Sequence, residues 1–599
     1  MLYPQVNECR QYSALDGLWR FKPDMDDGGI DAGWFVRLPC DSDWMPVPAS
    51  FNDLTQDPAV RNIVGPVWYE CEVYLPAEKL DSRLIIRVGA ASHHARIWWN
   101  GKPVAEHQGG FLPFEADVTG LADCPGPHRL VIRVDNRLAW NTLPPGVVVH
   151  HGDFPDSGHQ ARQEYFHDFF NYGGIHRSVG VCILPHTAIS AIQVTPWREK
   201  DRSGFHYHVE LAGDTAPVVI KVLDAEGCIV AESRGVAGSI VIADAHLWQP
   251  EHPYLYSFEV RTIDDNPDCY RLPVGLRTIA IKDGQLLINE EPFYFRGFGK
   301  HDDSELLGKG HSDAVMIKDF ALMKWCGANS FRTSHYPYAE ETLYHADRTG
   351  MVVIGELPAV GINFSPEHEP FFRPGQVDEA TRAHHIQTLN EMVARDFNHP
   401  SIVLWSLANE AATQEEASRP YFEPIVKRAR ELDSSRPLIL VMSAFPAVDK
   451  VGDLFDVIGV NRYYGWYHDV GRLETIAPNL EAELNVWHQR YHKPIVMTEY
   501  GADAIAGFHQ DPPEMFTEEY QCAVLNEYHK VLDRLPFIIG EHVWNFADFA
   551  TKQGVKRVVG NRKGVFTRQR QPKMAAHLLR KRWSSCKASS RPDPESRDD

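Results

Sequence analysis

A chain of 599 residues exceeds one ordinary domain and points to three or four. Hydrophobic residues at 43% and charged residues at 24% exclude disordered and fibrous classes. Acids outnumber bases 81 to 60, a formal charge of −21, which is the wrong sign for a general nucleic-acid binder. An anionic small-molecule substrate would then need a local basic site.

In chain order, the opening MLYPQVNECRQYSALDGLW lacks the basic flank and apolar core of a secretory leader. Strand-like runs follow at Arg83–Val88, Ala95–Trp99 and Leu130–Val134, with Asn100-Gly101 as a type I′ hairpin turn. Aromatic-rich loops surround Trp140 and span Tyr165–Tyr172. Residues 1–185 read as a jelly-roll-type β-sandwich. Residues 186–279, with short alternating strands such as Phe205–Leu211 and Val218–Leu223, read as an immunoglobulin-like β-sandwich.

From about residue 280 apolar runs alternate with helical stretches. Ser312 is placed to cap a helix with Met316, Phe320 and Met323 on one face, ending at Gly327. Eight runs read as strands: Phe293–Gly299, Asn329–Thr333, Met351–Glu356, Ser401–Glu410, Leu438–Met442, Val457–Val460, Pro494–Glu499 and Phe537–Trp544. Residues 280–586 therefore read as a (β/α)8 TIM barrel. The alternative is an open doubly wound sheet, which usually carries a glycine-rich phosphate loop not found here. Residues 587–599 read as a disordered tail.

No run approaches the ~18 apolar residues of a membrane span, so no membrane partner is expected. Ten scattered cysteines without a CxxC pair read as reduced core thiols, with no metal site and no cofactor. Together these features point to a cytoplasmic protein.

In a TIM barrel the chemistry sits where strands end. The polar strand ends are Arg332 to Tyr336, Asn409-Glu410, Asn461-Arg462-Tyr463, Glu499-Tyr500 and Trp544-Asn545. Glu410 and Glu499 close long apolar strands and can converge on one volume. Paired carboxylates are what glycosidic-bond hydrolysis requires: one protonates the leaving oxygen, the other attacks or activates water. The stretch Thr551–Lys573 carries eight bases and no acid, a local reversal of the overall charge directly after the eighth strand.

Asn329–Pro337 with Asp347–Ile354, and then Asn398–Glu410, resemble the two signatures of glycoside hydrolase family 2. Asn461–Tyr467, Thr498–Asp503, Trp544–Ala550, Asn561–Gly564 and Tyr165–Val179 resemble its β-glucuronidases. The resemblance implies the domain order above, a retaining mechanism, a small-molecule glucuronide substrate and a homo-oligomer, tetramer or dimer. It implies Glu410 as acid/base, Glu499 as nucleophile and Asn409 as holder of the 2-hydroxyl. Asn561 and Lys563 match the pair that binds the uronate carboxylate, and Arg557 is a third partner for it. A neutral sugar would leave Lys563 without a counter-charge.

Tyr463 is expected to orient Glu499, Tyr467 and Trp544 to pack around the sugar, and Asp168 to reach a ring hydroxyl from the first domain. His335 and Asn461 complete the contacts. Gly355-Glu356 stands where these enzymes often carry Asp-Glu and is expected to lie away from the carboxylate pair; the loop 363–379 is expected to line the aglycone entrance. A β-galacturonidase or dual-specificity uronidase is the nearest alternative, and a non-catalytic carbohydrate-binding protein the distant one.

Overall fold

The computed structural model describes residues 1–150, 161–584 and 590–592. In the amino-terminal part, a four-stranded and a six-stranded antiparallel sheet share one core that includes Trp19, Phe21, Tyr69, Ile86, Trp99, Ile132 and Val181. Asn100 and Gly101 connect His94–Trp99 to Lys102–Gln108 with φ of 49° and 79°. Two successive positive φ angles define the turn type whose twist matches a hairpin.

The second sandwich packs a three-stranded sheet on a four-stranded one. Burial alternates strictly along Val218–Leu223 and Tyr256–Thr262, because successive side chains point to opposite faces. The inward set includes Phe205, Tyr207, Phe258 and Tyr270.

The carboxy-terminal part is a closed parallel barrel. Its strands are β1 (Phe295–Gly299), β2 (Ser330–Arg332), β3 (Val352–Glu356), β4 (Ile402–Asn409), β5 (Leu438–Met442), β6 (Val457–Asn461), β7 (Ile495–Glu499) and β8 (Ile538–Val543). Pairing of β1 with β8 rules out the open doubly wound sheet. Every residue of β4 is buried: such a strand packs on helices outside and side chains inside, so it reads as a continuous apolar run. The helix Asp313–Cys326 ends at Gly327 with φ 82°, and buries Phe320 and Met323. Ser312 takes the capping backbone position, but its side chain makes no capping hydrogen bond. A small antiparallel sheet over Ile279–Pro292 places Leu286 and Ile288 against Phe295 and Val352, in the cluster that closes the barrel floor.

The first sandwich reaches the barrel mouth through residues 165–172, where the Phe170 N–H donates to the Ala550 carbonyl at 2.9 Å. That contact gives one domain a hand in a site built mainly by another. The reading of the cysteines as core thiols needs correction. All the described ones are free, but only Cys182, Cys269 and Cys326 are buried, while Cys40, Cys124 and Cys228 are exposed. Most of the tail expected to be disordered lies outside the described residues. Within 590–592, Arg591 donates to the Leu535 carbonyl at 2.8 Å and sits over the Tyr294 ring. No helix among the described residues is long and apolar enough to cross a membrane.

Candidate active site

A cavity of about 830 Å³ opens at the carboxyl ends of the strands. Asp168, His335, Asn409, Glu410, Asn461, Tyr463, Tyr467, Glu499, Trp544, Arg557 and Asn561 all line it. Lys563 lies one side chain behind the wall, its Nζ donating to the Tyr467 hydroxyl at 2.8 Å.

Glu410 follows β4 directly and has φ 53°. A non-glycine residue in that region costs on the order of 1 kcal/mol, offset here by its N–H bond to the Val441 carbonyl at 2.9 Å. Glu499 is the last residue of β7 and pairs in register with Asn461 of β6. Asn461 Nδ2 donates to Glu410 Oε1 at 2.9 Å and to Asn409 Oδ1 at 3.1 Å. Its own Oδ1 accepts from Thr498 at 2.7 Å, which fixes the orientation of the amide. The Tyr463 hydroxyl donates to Glu499 Oε2 at 2.6 Å, and Arg332 donates to Glu499 Oε1 at 2.5 Å.

The two carboxyls have different electrostatic surroundings. Desolvation, followed by the negative charge of Glu499, pushes the Glu410 pKa up to about 8. Glu499 instead accepts from a guanidinium and a phenol, donors that suit an anion. Two carboxyls in one cavity with opposed environments divide acid and base roles.

Arg332 was read only as a polar strand end, yet it is the hub beneath the pair. Fully buried, it donates to both oxygens of Glu356 at 2.8 Å as well as to Glu499. Glu356 also accepts from Ser406 at 2.7 Å and contacts His335 Nδ1 at 2.8 Å. It therefore does not lie away from the carboxylate pair, as expected from its position on the third strand. One guanidinium separates it from Glu499. The sequence signal was an arginine inside an otherwise buried strand, which needs a buried anion to compensate it.

His335 stacks on Trp544 with ring centroids 5.0 Å apart, forming one wall. The basic cluster supplies another part of the lining. Four of the eight bases in 551–573 are committed elsewhere: Arg568 to Asp53 and Asp303, Arg570 to Asp319, and Lys573 and Arg562 to Asp548. Lys552 and Lys556 line the cavity beside Arg557. Arg557 is bidentate on Asp168 at 2.8 and 2.7 Å, with its Nη2 also donating to Tyr467 at 2.7 Å. Asn561 Nδ2 donates to the same Asp168 at 2.7 Å.

Two further features appear here. Asp168 reaches the cavity from the first domain with its side chain partly exposed, and it already accepts from Arg557 and Asn561. Lys563 is not left without a counter-charge in the absence of a uronate: Asp503 lies 2.6 Å from its Nζ. Asp503 was missed, although it follows Glu499 by four residues in a stretch already singled out. It also accepts from the Arg562 N–H at 2.7 Å, tying the chain that follows β7 to the basic loop. The outer rim is apolar, with Phe364, Phe445, Val470, Met515 and Phe516.

Comparison with known proteins decides the family. Residues 12–185, 187–277 and 279–588 match, in turn, the models described as the sugar binding domain of glycosyl hydrolases family 2, glycosyl hydrolases family 2, and the TIM barrel domain of that family. The chain belongs to glycosyl hydrolases family 2. The β-glucuronidase of Paenibacillus borealis is 50% identical over 586 residues, covering 97% of this chain and 98% of that one. The human β-glucuronidase is 44% identical over 611 residues, 97% of this chain and 92% of the other. Among solved structures, the β-glucuronidase of an uncultured Clostridium superposes with a TM-score of 0.93 at 45% identity, over 98% of this chain and 100% of that one. The Ruminococcus gnavus β-glucuronidase in complex with uronic deoxynojirimycin gives 0.92 at 38% identity, over 97% and 99%. Family 2 hydrolysis proceeds with retention, which assigns two successive displacements to a site of this kind.

Proposed function

We propose that this family 2 glycosidase hydrolyses β-D-glucuronides to D-glucuronate and an alcohol, acting on the terminal sugar. The observation that carries the proposal is a single cavity holding Glu410, Glu499 and the cationic group of Arg557, Asn561 and, behind Tyr467, Lys563. The named relatives support it.

In this reading Glu499 attacks the anomeric carbon while Glu410 gives its proton to the departing aglycone oxygen. The bond to the aglycone breaks as the bond to Glu499 forms. The charge of Glu499 is then consumed, and with it one cause of the high pKa of Glu410. Glu410 takes a proton from water, the hydroxyl attacks the same carbon, and Glu499 leaves as a carboxylate. Asn409 holds a hydroxyl near the reacting carbon, Asn461 positions Glu410 and Asn409, Tyr463 orients Glu499, and His335, Trp544 and Tyr467 pack the ring.

The uronate carboxylate docks on Arg557, Asn561 and Lys563, where charge-assisted donors compensate its lost hydration. Asp168 and Asp503 hold these groups in place, and each keeps a donor that the uronate can take. We also propose domain limits of 1–185, 186–279 and 280–586, a homo-oligomer (tetramer or dimer) and a cytoplasmic location. The deciding test compares turnover of p-nitrophenyl β-glucuronide, β-galacturonide and β-galactoside. Preference for the glucuronide is expected. Equal turnover of the galacturonide would make the chain a dual-specificity uronidase, and preference for the galactoside would overturn the reading.

A further inference from the structure

Lys309 is 5% exposed and lies outside the cavity lining. Among the described residues no carboxylate lies within ion-pair distance of it. Its Nζ instead faces three rings, 3.8 Å from the centroid of Tyr336, 4.5 Å from Phe111 and 4.8 Å from Phe169. Phe111 and Phe169 come from the first sandwich, while Lys309 and Tyr336 come from the barrel part. A desolvated ammonium enclosed by aromatic faces is an attractive contact whose strength falls steeply once a ring moves away.

The box stands directly behind the active site. Phe169 adjoins Asp168, which accepts from Arg557 and Asn561. The same ring packs 6.3 Å from His335 and 5.2 Å from His301. Tyr336 follows His335 in the chain, and its hydroxyl meets His301 Nδ1 at 3.0 Å. His301 in turn packs edge-on against Trp544 at 5.3 Å. Loss of the ammonium would therefore release the rings that seat residues 166–169 on the barrel.

We infer that Lys309 is a positioning residue for the substrate site: its ammonium, boxed by Phe111, Phe169 and Tyr336, fixes the first sandwich's 166–169 segment, and with it Asp168, over the barrel mouth. This rests on the glucuronidase reading only for the choice of substrate. Desolvation lowers the Lys309 pKa to about 7. Asp302 and Asp303 favour the charged form only from beyond ion-pair distance and do not offset the burial fully, which makes the position an unusual one for a lysine held only for packing.

The test is a double-mutant cycle on the full chain. Lys309→Met keeps the length and apolar stem but removes the charge; Asp168→Asn removes the positioned acceptor. Lys309→Met is expected to lower kcat/KM on p-nitrophenyl β-glucuronide about tenfold, the order of a lost desolvated cation–π contact, mainly through KM. In the Asp168→Asn background it is expected to change kcat/KM by less than twofold. Hydrogen exchange of amides 166–172 should accelerate in Lys309→Met whatever the substrate. Equal losses in both backgrounds, or unchanged exchange at 166–172, would overturn the inference. If Lys309→Met fails to fold, Phe111→Leu opens the same box from the far side and must show the same non-additivity. A wild-type chain inactive on the glucuronide would count against the function instead, and leave the exchange measurement to decide the role of Lys309.

Discussion

Replacing Glu410 by Ala tests the acid role most quantitatively. With a pKa of about 8, Glu410 is about 90% protonated at pH 7. A carboxyl at the ordinary glutamate value of 4.5 would be protonated about 0.3% of the time, so the environment raises the acid form about 300-fold. The alkaline limb of kcat/KM for an alkyl glucuronide, whose leaving oxygen needs the proton, is then expected near pH 8. Glu410→Ala should lower kcat/KM for that substrate by about 10²- to 10⁴-fold, the usual worth of general acid catalysis. A p-nitrophenyl glucuronide, with a leaving group stable as an anion, should lose far less, and the limb near pH 8 should vanish. The assay is a pH series of initial rates on both substrates with the wild type and the variant. A limb that persists at the same pH in Glu410→Ala, or equal losses on both substrates, would refute the assignment.

Arg332→Lys should lower kcat at least 10²-fold with a smaller change in KM, because one ammonium does not span Glu356 and Glu499 as the planar guanidinium does; steady-state kinetics on a variant verified as folded check this, and near-normal kcat would contradict it. Lys563→Ala should depress glucuronide hydrolysis by about 10²-fold while leaving any galactoside hydrolysis within a few fold, the scale expected when a charged partner is stranded; parallel losses on both substrates would remove its carboxylate role. Glu410→Gln should gain thermal stability relative to wild type as pH rises from 5 to 9. A carboxyl whose folded pKa is raised contributes stability at low pH that is lost as pH rises through about 8, and a melting difference that does not change with pH would speak against the raised pKa.

The barrel and both sandwiches were legible because their strands announce themselves in two ways. Those of the second sandwich alternate with period two, as in Tyr256–Thr262, while barrel strands such as Ile402–Asn409 are apolar throughout. The carboxyl pair was legible because a strand's end fixes a residue's height in a barrel. What the sequence did not reveal is partnership. Nothing in Arg332 or Glu356 taken singly states that one guanidinium ties two strand ends together. The basic stretch 551–573 looked like free positive charge, but its partners Asp53, Asp303 and Asp319 lie hundreds of residues away in the chain. Long-range ion pairs leave no periodic trace, so Asp503 beside Lys563 also escaped notice.

The central claim is that Glu499 forms a covalent bond to the sugar. A 2-deoxy-2-fluoro-β-glucuronyl fluoride slows both displacements but keeps an activated leaving group, so the glycosyl-enzyme should accumulate. Intact-mass and peptide mass spectrometry should find one added 2-fluoroglucuronyl group, located on Glu499. An adduct on Glu410, or turnover of the reagent with inverted configuration and no adduct, would contradict the account.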